Sequence, residues 1–378
     1  MQAAQVKAYE SGRVLYMAME LSNKKWKLGF GNGSKLRRKS IAARDRQRCL
    51  EEVALAKVKL KLPAAAPVVC CFEAGRDGHW IYRWLENEGV EVLELDSSSI
   101  ETAQGRKHVK TDRVDVEKLL DLLIRHHCFG LRQAFRVVRV PSAAAEASQR
   151  LHREDEYLVK QRTRISNRIK GLLVAQGVVE VSLRGDFSGW LDRVRLWNDE
   201  GLSAELKTEL RRMHAQYEVF DSQLKELAND YAEELMADTP LAEARRKLEI
   251  FKGIGAKSSR VLSAEVFAWR TFNNTKEVGA MAGLTPTPSH SGDTETEQGI
   301  SKAGNRRVRR VMIELAWLWL RWQPDSALSQ WFDRRWAHGG KRMRRIGIVA
   351  LARKLLIALW RYTEHGVIPE GAVLKTQG

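Results

Sequence analysis

"PVVCCFEAG", residues 67–75, decides the fold. Proline opens it, glycine closes it, and between them all is apolar except one terminal glutamate. A run this short and this apolar fits a buried strand; a buried helix would need ten or more residues. On one side, "RDRQRCLEEVALAKVKLKL" (44–62) has helical periodicity and stops before Pro63. On the other, "HWIYRWLENEG" (79–89) predicts a helix ending at glycine, and "VEVLELD" (90–96) predicts another strand. Upstream, "RVLYMAMEL" (13–21) and "KKWKLGFGNG" (24–33) read as a hairpin, with "RKSIAA" (38–43) as a third strand. Downstream, "KTDRVDVEKLL" (110–120) belongs to a helix with Thr111 as N-cap that reaches about His126. The order β-β-β-α-β-α-β-α predicts a mixed sheet with helices on its faces, its first and fourth strands adjacent.

Pro141 and Pro240 divide the rest, giving expected domains of 1–140, 141–239 and 240–378. The middle one holds two long charged helices, from Ser142 to Gly177 and from about Ser203 to Met236. They predict an antiparallel coiled-coil hairpin, either a spacer or an oligomerisation arm. The third region is mainly helical. "LEIFKGIGAKSSRVLSAEV" (248–266) reads as helix, Gly-x-Gly turn, helix, which is a helix-hairpin-helix. "LTPTPSHSGDTETEQG" (284–299) reads as a loop, and "SKAGNRRVRRVMIELAWLWLRW" (301–322) as a helix that starts basic and turns aromatic.

The chain has 378 residues and a net charge of +17, with most of that positive excess in its last fifth. A polyanionic partner follows, nucleic acid before an anionic membrane. Cys49, Cys70, Cys71 and Cys128 form no CxxC pair, which argues against a disulfide framework and a structural zinc and for a reducing cytosol. "HHC" at 126–128 reads as a helix end, where histidine suits the negative dipole. The longest apolar stretch, "IGIVALARKLLIALW" (346–360), is interrupted by Arg353 and Lys354 and reads as a core helix, not a membrane span. No signal peptide is visible at the N-terminus.

Asp112 and Asp115 would share one helix face, where like charges repel. Such a pair is ordinarily a solvated face, and Lys110 and Arg113 could neutralise it. Glu20 and Glu73, however, end the two strands expected to be neighbours. Four carboxylates gathered there would raise one another's pKa unless a divalent cation bound them. Hard cations take oxygen ligands, and a pair of them can polarise a phosphodiester.

These residues carry a resemblance. "MELSNKKWKL", "FEAGRDGHWIYRWLENEGVEV", "KTDRVDVEKLL" and "MAGLTPTPSHSGDTETEQGISKAGNRRVRRVMIELAW" together span most of the chain. The whole is similar to the DEDD transposases of bacterial insertion sequences, recombinases guided by a bridge (seek) RNA. Their first domain has an RNase H-like fold of the Holliday-junction-resolvase (RuvC-like) branch. The resemblance implies a cytoplasmic bacterial enzyme that is not membrane-bound. It implies Mg²⁺, in a two-metal site with Mn²⁺ as an alternative, held by Glu20, Glu73, Asp112 and Asp115. Glu20 stands where the family carries aspartate, and Asp96 is a possible substitute. From residues alone Ser291 is a turn serine. The resemblance implies a nucleophile there, since the family's serine precedes a glycine; Ser289 is the alternative. It also implies donor and target DNA, a structured guide RNA, and a homo-oligomer, dimer or tetramer.

Three basic groups are candidates for nucleic-acid contact: Lys252, Lys257 and Arg260; Lys302, Arg306, Arg307, Arg309 and Arg310; and Lys341, Arg342, Arg344 and Arg345. Such groups give salt-dependent, sequence-neutral affinity. Trp317, Trp319 and Trp322 fit core packing better than base stacking. Two other functions compete with the recombinase: a metal-dependent nuclease with water as nucleophile, and a non-enzymatic RNA- or DNA-binding protein.

Overall fold

The computed structural model describes residues 13–100, 112–130, 135–291 and 294–375. The chain forms two units, Met1–Pro141 and Ser142–Gly378.

The first unit is built on β1 (Leu15–Leu21), β2 (Lys25–Gly31), β3 (Leu36–Ala42), β4 (Val68–Glu73) and β5 (Glu91–Leu95), in the order β3-β2-β1-β4-β5. β1 pairs antiparallel with β2, and β2 with β3, while β1–β4 and β4–β5 are parallel. The chain crosses from β3 to β4 through α1 (Arg46–Lys59) and from β4 to β5 through α2 (Gly78–Asn87). Leu15, Met17, Met19, Cys70 and Phe72 share a core with Cys49 and Val53 of α1 and Ile81 and Leu85 of α2. Tyr16, Ala18, Val69 and Cys71 point the other way, into a core with Leu119, Leu120 and Leu123 of α3 (Asp112–Phe129). Burial on both faces explains why β4 reads as an unbroken apolar run. The expected N-cap of α3, Thr111, lies outside the described residues, and the helix runs on to Phe129. His127 at its end lies 3.0 Å from the hydroxyl of Tyr16.

In the second unit, α4 (Ala143–Val174) and α6 (Ala204–Met236) run antiparallel. Ser142 and Ser203 cap them, each accepting a hydrogen bond from the backbone three residues on. Leu158 packs with Leu227 and Tyr231. At the far end, Ile169 and Leu173 pack with Leu210, Met213 and α5 (Phe187–Arg193). There follow α7 (Pro240–Glu249), α8 (Ala256–Leu262), a π-helical turn at Ser263–Phe267 and α9 (Thr275–Met281). Next come β6 (Pro286–Ser291), β7 (Thr294–Ile300), α10 (Arg306–Trp322), α11 (Ala327–Phe332) and α12 (Lys341–His365). Leu351, Leu355, Leu356 and Leu359 of α12 join the core of α10, so the stretch at 346–360 is spent on packing. Among the described residues no helix is long and apolar enough to cross a membrane.

The sequence reading needs correction at three points. The stretch 284–299, expected as a loop, is largely a two-stranded antiparallel hairpin, with Ser291 opposite Thr294. Thr294, Glu295, Thr296 and Glu297 alternate after a Gly-Asp pair, a hairpin signal that the prolines obscured. The basic helix starts at Arg306, capped by Asn305, so Lys302 precedes it, with a positive φ of 54°. Of the three tryptophans of α10, Trp319 is buried in the core, but Trp317 and Trp322 are exposed.

Candidate active site

Side-chain direction alternates along a strand. Glu20 therefore belongs to the face of Tyr16 and Ala18, and Glu73 to the face of Val69 and Cys71, which is the α3 face of the sheet. The parallel register Met19↔Phe72 puts the two glutamates side by side at the C-terminal ends of β1 and β4. Helix α3 crosses that face antiparallel to both strands. Its Leu119 carbonyl lies 3.5 Å from the Cys71 sulfur, while His127 reaches back to Tyr16. The first turn of α3, with Asp112 and Asp115, is thus at the end of the sheet where Glu20 and Glu73 stand.

Gly29 of β2 makes this approach possible. A Cβ on Gly29 would lie 2.5 Å from Cγ1 of Val116, one residue beyond Asp115. Lys27 faces Glu20 across the β1–β2 pair, its Nζ 3.8 Å from the carboxylate. That cation was not singled out in the sequence, although the expected hairpin register could have found it. Asp96, the alternative acid, is engaged by Arg136 at 3.4 Å. The side chains of Asp112, Asp115, Ser289 and Ser291 lie outside those described, and among the described residues no cluster of three or more ligating side chains occurs. As a donor set, two glutamates on one sheet face and a helix opening with two aspartates fit a hard divalent cation.

In the second unit, Ser291 ends β6. The base of its hairpin is tightly tied. Ser301 N–H donates to the Thr285 carbonyl (2.9 Å) and Lys302 N–H to that of Gly283 (3.2 Å). Arg309 spans both strands' roots, donating to the carbonyls of Ala282 (3.2 Å) and Lys302 (2.8 Å). Gly304, at φ 144°, leaves no room for a side chain: a Cβ would sit 2.4 Å from the Met281 carbonyl oxygen.

The basic residues divide by environment. Arg307 and Arg310 both donate to Glu156 of α4, at 2.9 and 2.7 Å. Burial raises the Glu156 pKa, but these hydrogen bonds and charges outweigh it and hold the carboxyl below its ordinary value. Arg260 stacks its guanidinium 3.7 Å from the Tyr231 ring centre. Lys252, Lys257, Lys302 and Arg306 are exposed. So are Lys341, Arg342, Arg344 and Arg345, which fill the first turns of α12.

Residues 30–176 match a family model described as transposase, of the DEDD type found in IS110. Residues 245–331 match the transposase IS116/IS110/IS902 family. The first match contains Glu73, Asp112 and Asp115 and begins after Glu20; the second contains Ser291. The chain is 38% identical to putative transposase y4rJ of Sinorhizobium fredii, over 96% of this chain and 95% of that one. It is 22% identical to the transposase for insertion sequence element IS1328 of Yersinia enterocolitica, over 81% and 87% of the two chains. The transposase for IS1111A of Coxiella burnetii is 26% identical, over 63% and 62%.

Proposed function

This chain belongs to the IS116/IS110/IS902 family of insertion-sequence transposases, and from that premise we propose that it cuts and exchanges DNA strands through Ser291, aided by a divalent cation. Glu20, Glu73, Asp112 and Asp115 would hold the cation. The observation that carries this reading is the position of Glu20 and Glu73 on the α3 face, at the end of the sheet where α3 begins. A bound Mg²⁺, or Mn²⁺ in its place, would neutralise the acidic set and polarise the scissile phosphate. Lys27 offers Glu20 one positive charge, and four carboxylates demand more.

Attack by the Ser291 hydroxyl forms an Oγ–P bond as the P–O bond to one deoxyribose oxygen breaks. The serine loses a proton and the departing oxygen gains one. Attack by a new strand's hydroxyl reverses the step, frees the serine and seals the exchange. The exposed basic start of α12 and the residues Lys252, Lys257 and Arg306 would hold phosphates. The α4–α6 pair serves as a coiled-coil arm for oligomerisation, and α7–α8 as a helix-hairpin-helix. A structured RNA selects the donor and target DNA in the bacterial cytoplasm.

Ser291→Ala should abolish the covalent protein–DNA product and slow strand cleavage by roughly a thousandfold or more. Glu73→Gln should abolish cleavage yet leave DNA retention in gel shifts. Undiminished cutting by Ser291→Ala would show that water is the nucleophile if no covalent product forms, and that Ser289 is if the covalent product persists. Guidance is tested by sequencing the RNA that copurifies with the protein: one abundant structured species is expected, and random cellular RNA would end that part of the proposal.

A further inference from the structure

The second unit buries a carboxylate that the proposed chemistry does not use. Glu265 is 2% exposed and lies in the π-helical turn Ser263–Phe267. That turn is closed by an i→i+5 bond from Ala268 N–H to the Ser263 carbonyl (3.0 Å). Single π-turns inside helices recur at functional sites, because they rotate a side chain out of the regular helical face. Here the rotated residue meets three partners. Arg153 donates to both of its oxygens, at 3.0 and 3.2 Å. His152 Nε2 stands 3.0 Å from Oε1. Asn305 Nδ2 donates to Oε2 at 2.7 Å.

Asn305 links this carboxylate to the hairpin. Its Oδ1 caps α10, accepting from Arg307 N–H (3.0 Å) and Val308 N–H (3.2 Å). Its own N–H donates to the Met281 carbonyl at 2.6 Å, just before the root of β6. The root of β7 precedes it through Gly304, where no other residue fits. A buried ion pair is a poor source of stability, since an apolar group of similar shape often does as well. Its better-attested use is to fix one arrangement among several.

We propose that Glu265 is a positioning residue: through Asn305 it fixes the base of the β6–β7 hairpin and so the place of Ser291. The proposal rests on the serine reading above, and the experiment separates the two. Asn305→Ser is the informative variant. Serine still caps α10, so the helix start survives while the link to Glu265 is lost. Glu265→Gln is its companion, weakening the contact from the other side with little change of shape.

Both variants should bind duplex DNA within about twofold of the parent, yet cleave it roughly ten- to a hundredfold more slowly in single turnover, as expected of a displaced nucleophile. Amide hydrogen exchange should accelerate in 287–300 and stay unchanged in α12. Exchange in the hairpin that matches the parent would overturn the proposal, whatever the cleavage rates. Faster exchange with parental cleavage would overturn it too, because the clamp would then not govern the chemistry. If Ser291→Ala cuts normally, the serine reading fails, while the exchange of Asn305→Ser still decides whether Glu265 holds the hairpin.

Discussion

His152 shows how a single residue here is set by its surroundings. It is 5% exposed, and burial holds its pKa down to about 4, from an ordinary 6.5. Glu265 and Glu156 pull the other way, while Arg153 and Arg307 add to the depression. The imidazole is therefore neutral in the folded protein at pH 7. Between pH 6.5 and about 4 the unfolded chain takes up a proton that the native chain refuses, so stability falls as pH falls through that window. The loss at the bottom of the window is on the order of 3 kcal/mol. His152→Gln should flatten the dependence of the urea midpoint on pH between 7 and 4, relative to the parent. Parallel curves for the two proteins would show that the ring titrates normally. Glu52 follows the opposite logic. Its side chain is fully buried, yet Arg37 at 2.6 Å, Arg48 and Lys39 together overcome the cost of burial and hold its carboxyl below its ordinary value. Neither environment can be read from sequence. Glu52 sits in a charged helical stretch that looks like a solvated face, and only the tertiary partner on β3 makes it otherwise.

At the scale of elements, the outcome depends on how close α3 can come to the sheet. Val116 rests over Gly29, and Leu120 over Gly31. A Cβ at position 29 would meet Val116 Cγ1 at 2.5 Å, whereas at position 31 it would meet the Leu120 methyl at 3.3 Å. Gly29→Ala should therefore cost about 1–3 kcal/mol in urea denaturation and lift the start of α3 from the sheet. Gly31→Ala should cost less, because a leucine end can rotate aside. A larger loss at position 31 would mean that α3 is seated differently. The strands themselves were legible. "PVVCCFEAG" announced β4 by its brevity and its proline and glycine borders, Pro63 follows the end of α1, and Pro240 opens α7. The hairpin of β6 and β7 was not, because Pro286 and Pro288 mimic a loop. They are tolerated since a two-stranded ribbon has only edges, where a missing N–H need not be replaced. The acids at 20, 73, 112 and 115 stood out by order and spacing. Glu265 did not, since a lone glutamate in "VLSAEVFAW" gives no hint of a π-turn.

For the molecule as a whole, the net charge of +17 matters less than which cations are left available. Arg307 and Arg310 are engaged by Glu156, and Arg309 by two backbone carbonyls. Breaking the Glu156 pairs to bind a phosphate forfeits part of the gain. Lys341, Arg342, Arg344 and Arg345 differ: all four are exposed on the opening turns of one helix, where the backbone dipole also favours an anion. Each phosphate neutralised releases condensed counterions, so affinity falls with salt by a slope near 0.9 per contact. Replacing the four by glutamine should lower the slope of log Kd against log salt by roughly 3 to 4, and by the same amount for unrelated duplexes. Replacing Arg307 and Arg310 should lower it by less than their number implies, because their charge is already spent on Glu156. The measurement is a fluorescence-anisotropy titration across a range of salt concentrations. An unchanged slope in the fourfold variant would move the DNA surface away from α12, and the tightly tied hairpin base would then have to present its strand without that helix's help.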